Sequence, residues 1–134
     1  MAKMVGVWIW VWPRQIADAV NLTVGGTVIL TEEDVARIGD EMLLLGIRIM
    51  DRDPGPDDKV DDVSDTFAGP FNVGPNSFQI EQITVPHDDV ANSEPGTESV
   101  AELYVKAKVK PATVTHNIQS NWAESQTEHV RFAE

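Results

Sequence analysis

A chain of 134 residues, 42% hydrophobic and 24% charged, has the size and composition of one folded domain, which excludes the disordered, collagen-like and two-domain classes. Twenty-two acidic against ten basic residues give a formal charge of −12, a field that repels phosphate backbones and anionic headgroups and so argues against nucleic-acid partners. With no cysteine there are no disulfides, thiol nucleophiles or thiolate metal sites.

In chain order, Gly6-Val7-Trp8-Ile9-Trp10-Val11-Trp12 alternates with a period of two, which predicts a strand with Val7, Ile9 and Val11 on one face and three tryptophans on the other. Either the face formed by Trp8, Trp10 and Trp12 is covered by a loop, helix or neighbouring subunit, or it is an interface presented to a partner. The apolar run 5–12 is well short of the roughly 20 residues of a membrane-spanning helix, so membrane contact is not expected. Met1-Ala-Lys ahead of it superficially resembles a secretory leader, but Pro13-Arg14 interrupts the run, and a signal peptide is not expected. A cytoplasmic location or a place in an extracellular assembly both fit.

Residues 14–20 suggest one or two helical turns, and 24–30 a second strand entered through Gly25-Gly26. Thr31 followed by Glu32-Glu33-Asp34 is a helix start, because the hydroxyl and the acids satisfy free N–H groups and match the helix dipole; the helix should end at Gly39. Residues 42–50 form the strongest strand, with Leu43, Leu45, Ile47 and Ile49 on one face, leading into an acidic loop over 51–65. Residues 77–85 read as a strand in which Phe78 and Ile80 have opposite parity to Ile83 and Val85, which predicts a bulge near Glu81-Gln82. A second acidic loop follows over 86–99. Residues 100–110 then alternate, with Leu103, Val105, Ala107 and Val109 inward and Tyr104, Lys106, Lys108 and Lys110 outward, the one basic row in the chain. A short strand over 113–118 and a strand or terminal arm over 122–132 complete the reading. Short strands separated by Gly, Pro and Asp turns, with one or two short helices, indicate a mainly β single domain over 1–134, an antiparallel β-sandwich with a barrel as alternative.

Six aspartates lie within twelve residues after the third strand: Asp51, Asp53, Asp57, Asp58, Asp61 and Asp62. Crowded carboxylates repel one another, and a calcium ion removes the repulsion by taking six to eight oxygen ligands. An EF-hand frame from Asp51 fails, since Pro56 stands where a glycine is needed and Asp62 where a glutamate is needed. The run Leu43-Leu44-Leu45-Gly46-Ile47-Arg48-Ile49-Met50 ending in Asp51 and Asp53, with Asp57 or Asp58 later, instead resembles the calcium loop of C-two domains, the calcium-and-lipid-binding β-sandwiches. That resemblance implies calcium as the cofactor, with these aspartates as ligands. The family's glycine after the last loop aspartate is missing, and the loop has no aromatic tip to enter a bilayer. Asp88 and Asp89, with His87, Glu94 and Glu98, form a possible second loop. The competing reading is a solvated Asp/Pro/Gly turn that keeps a β edge from aggregating.

His87, His116 and His129 show no metal-site spacing, and there is no nucleophile elbow, phosphate loop or dinucleotide fingerprint. The expectation is a non-catalytic, calcium-stabilised protein-binding module. The alternative is a structural subunit of a virion, sheath or filament that self-assembles through its tryptophan face and terminal arms.

Overall fold

The period-two pattern folds into strands because every second side chain is apolar and the two sets of apolar faces can be buried only against each other. The computed structural model describes residues 2–13, 15–16, 18–52, 56–93, 100–111 and 117–132. Its elements are β1 (Lys3–Trp12), β2 (Gln15–Ile16), β3 (Ala19–Leu30), α1 (Glu32–Ile38), β4 (Leu43–Asp51), β5 (Asp58–Phe67), β6 (Gly74–Pro86), α2 (His87–Ser93), β7 (Val100–Lys110), β8 (Ala123–Glu124) and β9 (Glu128–Phe132). One sheet has the order β1-β3-β6. The other has the order β2-β9-β7-β4-β5, with β8 beside β7. All pairings are antiparallel except β2 with β9.

The inward residues expected from sequence form one buried cluster. Val7, Ile9 and Val11 from β1 and Leu22 and Val24 from β3 share it with Leu43, Leu45, Ile47 and Ile49 of β4 and Leu103, Val105, Ala107 and Val109 of β7. Each fully buried Leu or Ile contributes about 1.5–3 kcal/mol. The sheets remain separate, so the barrel alternative does not hold and the sandwich does. Helix α1 begins and ends as read: Thr31 Oγ1 accepts from the Asp34 N–H at 3.1 Å, Asp34 Oδ2 accepts from the Thr31 N–H at 3.0 Å, and Gly39 caps the far end.

Three expectations need correction, and one alternative is decided. Within the stretch expected as helical turns, the described residues 15–16 and 19–20 are extended, forming β2 and the start of β3, because pairing with β9 and β6 outweighs a weak local helix preference. The acidic stretch 51–65 is not one loop, since β5 starts at Asp58. The stretch 86–99 opens with helix α2, whose Asp88 and Asp89 sit in the first turn where the dipole favours them and whose Val90 is fully buried. Of the two alternatives for 122–132 the strand holds, since β8 and β9 both pair with β7. The strand expected over 113–118 falls mostly on residues outside those described.

Two bulges re-aim the three-stranded sheet. In β1, the register with β3 shifts between Val5 and Trp8, and Gly6 adopts φ 61°. This switches parity, so that Met4 is buried although it has the sequence parity of the exposed tryptophans. In β6, Leu22 pairs with Ile83 but Val24 pairs with Ile80, so Thr23 stands opposite both Glu81 and Gln82, the bulge expected from the parity change.

Among the described residues, the outer edge of β1 is closed by side chains rather than by another strand. Asn121 Oδ1 accepts from the Met4 N–H at 3.1 Å while its Nδ2 donates to the Met4 carbonyl at 3.1 Å. Gln126 repeats the arrangement at Ile9, at 3.3 and 2.7 Å. On the other side of the same segment, Ser120 and Ser125 exchange hydrogen bonds with Val109 and Val105 of β7. Residues 120–126 therefore stitch one sheet to the other.

Candidate functional site

Trp8, Trp10 and Trp12 project from the outer face of β1 and are 40%, 54% and 61% exposed. No loop or helix among the described residues covers this face. Trp8 lies across Gly25 of β3, its register partner, where any side chain would collide with the indole. The Trp10 and Trp12 rings are parallel to within 7°, with centroids 6.2 Å apart. Next to them lie Thr23 and Asn21, their register partners on β3, and then Thr84 and Gln82 on β6. Together these residues line an open trough of about 430 Å³. The Thr84 hydroxyl donates to Asn21 Oδ1 at 2.9 Å, which orients that amide.

Gln82 has φ 60°, the one non-glycine residue with positive φ among the described residues. This left-handed conformation costs about 1–2 kcal/mol for a side chain with a Cβ. Strain of this kind persists where the surrounding structure imposes it, and it clusters at functional positions. Sequence reasoning located the bulge but did not connect it with the tryptophans, because the register that aligns Trp10, Thr23 and Gln82 is set by pairing across three strands.

The aspartates are dispersed by the β4–β5 pair. Asp51 is fully buried at the end of β4, and its Oδ1 accepts from the Glu102 N–H at 3.1 Å. Asp58 is exposed and faces Asp51 in register. Asp57 Oδ2 accepts from the Tyr104 hydroxyl at 2.6 Å. Asp61 and Asp62 are adjacent on β5 and so point to opposite faces. Asp62 accepts from Arg48 Nε and Lys59 Nζ, both at 2.9 Å, and these bonds hold its carboxyl below the usual carboxylate range. Asp53 lies outside the described residues, as do Glu94, Glu98 and His116. Asp88 is exposed on α2, where Oδ1 lies 3.3 Å from His87 Nδ1, and Asp89 is half-buried. Among the described residues, no three His, Asp or Glu side chains gather as a cation cage. β5 is the edge strand of its sheet, and charged side chains on such an edge disfavour pairing with another chain.

The outward basic row is occupied internally. Lys106 and Lys108 place their ammonium groups 5.3 and 4.5 Å from the Trp122 ring centroid, with the Arg48 guanidinium at 5.2 Å, and Lys110 donates to Ser64 Oγ at 3.1 Å. Tyr104 was expected to face outward but is buried, because Arg52 stacks 4.2 Å from its ring centroid and Asp57 takes its hydroxyl.

Burial, and then the bond to the Asp57 carboxylate, push the Tyr104 hydroxyl up to about 12 from its ordinary value near 10. The folded value is the higher one, so this contribution to stability is complete below pH about 10 and is lost as pH rises toward 12. Tyr104 is the sole tyrosine, so an ultraviolet absorbance titration reads it directly. The expected midpoint is near 12, whereas one near 10 would mean that neither the burial of Tyr104 nor its Asp57 contact is held in solution.

No protein family model matches the chain, and neither does any curated protein or solved structure among those compared.

Proposed function

We propose that this protein is a non-catalytic β-sandwich binding module whose binding surface is the outer face of the β1-β3-β6 sheet. The observation that carries this reading is the exposed row Trp8, Trp10 and Trp12 beside the strained Gln82. Large apolar side chains left in water in a row contribute little to folding, and such patches mark interaction sites. The double substitution Trp10→Ala with Trp12→Ala is therefore expected to cost less than about 1 kcal/mol in urea unfolding, against about 3–5 kcal/mol for each tryptophan if it were core. A loss of several kcal/mol would make the rings structural and overturn the reading.

A second reading keeps calcium at the β4–β5 end. What supports it is convergence in the register: Asp51 faces Asp58, with Asp57 adjacent. The connection from α2 also enters β7 at Val100, three residues before Leu103, the partner of Asp51. On this reading the melting temperature rises in millimolar calcium relative to excess chelator, because a ligand of the native state stabilises it by mass action. Asp51→Asn with Asp53→Asn removes the rise. Coincident melts would leave edge protection as the role of the aspartates.

A further inference from the structure

We infer that the trough beside Trp10 and Trp12 binds a neutral pyranose ring of an oligosaccharide, an inference that rests on the tryptophan face being the binding surface. Four of its six lining residues, Asn21, Thr23, Gln82 and Thr84, carry amides or hydroxyls, and the other two are the parallel indoles. None is charged, in a chain with 24% charged residues.

Each element of this arrangement answers a feature of a sugar ring. The C–H bonds on one face of a pyranose are polarised by the oxygen on every ring carbon, so that face meets the negative π-surface of an indole favourably. Its hydroxyls both donate and accept, which suits side chains that do the same. Among the described residues, the Gln82 amide and the indole N–H groups of Trp10 and Trp12 have no protein hydrogen-bond partner and are available to a ligand. A volume of about 430 Å³ is within the range of small-ligand sites.

Other occupants fit less well. Anionic ligands meet a net charge of −12, and a cationic ligand finds no carboxylate among the six lining residues. An extended peptide adding to β1 finds the edge taken at Met4 and Ile9 by Asn121 and Gln126. The bulge supplies the geometric reason for the strain: two β6 residues opposite Thr23 turn Gln82 toward the tryptophans.

The test is native affinity electrophoresis of the full chain through gels containing neutral polysaccharides with gluco-, manno-, galacto- and xylo-configured backbones. Calorimetry with a hexasaccharide of the retarding type follows. Retardation by at least one polysaccharide is expected, with Trp10→Ala or Trp12→Ala weakening binding by about thirtyfold. Gln82→Gly should weaken it about fivefold while the melting temperature holds or rises, since glycine accepts the backbone conformation without strain.

Retardation that survives both tryptophan substitutions would overturn the assignment of the site. No retardation by any polysaccharide, from a monomer whose tryptophan fluorescence is quenched by acrylamide, would overturn the sugar but leave the face as a binding surface. A concentration-dependent dimer with shielded tryptophans would also overturn it, and would give the face to a second copy of the chain.

Discussion

Removing both side-chain amides that close β1, in the double variant Asn121→Ala and Gln126→Ala, is expected to lower stability by about 2–4 kcal/mol. Each amide satisfies one N–H and one carbonyl of a strand that has β3 on one side and, among the described residues, no strand on the other. Met4 and Ile9, which carry these groups, are buried, so water replaces the lost bonds only if the edge opens. Opening would also expose a long edge strand with a tryptophan face, and the variant should aggregate sooner on heating. Urea unfolding checks the first effect and light scattering during a melt the second. A loss under about 0.5 kcal/mol would show that the two amides do not hold β1 in place.

The second large effect lies on the hidden face of the same sheet. Leu22 is fully buried in the central strand β3, next to Thr23 and paired with Ile83 at the bulge. Leu22→Ala is expected to cost about 2–5 kcal/mol, from the lost transfer energy and the cavity left beneath a sheet that cannot collapse freely. Trp12→Ala removes a larger side chain from the opposite face of that sheet, yet should cost under about 1 kcal/mol. The contrast separates the two faces in one experiment: similar losses for both variants would mean that the tryptophans are covered in solution.

Strands β1, β4, β6 and β7 and helix α1 were legible because their signals are local. Leu43, Leu45, Ile47 and Ile49 alternate without interruption, the Thr31 cap and its acids are contiguous, and the parity change between Ile80 and Ile83 announces a bulge by itself. The acidic stretch misled for a physical reason. Asp is a poor strand former, so Asp58, Lys59, Asp61 and Asp62 look like a loop, but pairing with the strongly apolar β4 extends them as an edge. Helix α2 was missed because its apolar anchor, Val90, is a single residue in a polar segment. Tyr104 was placed outward by parity, and only the return of Asp57 and Arg52 over it explains its burial.

The amino-acid sequence by itself determined the class of fold, because alternation over several strands leaves apolar faces that a sandwich can bury. It also determined that three tryptophans share one face, since residues two apart in a strand point the same way. Whether that face was covered could be decided only by the tertiary structure, as cover depends on where other elements pack. The same holds for the company the tryptophans keep. Asn21, Thr23, Gln82 and Thr84 are remote from Trp10 and Trp12 in the chain, and hydrogen-bond register across β1, β3 and β6 brings them together.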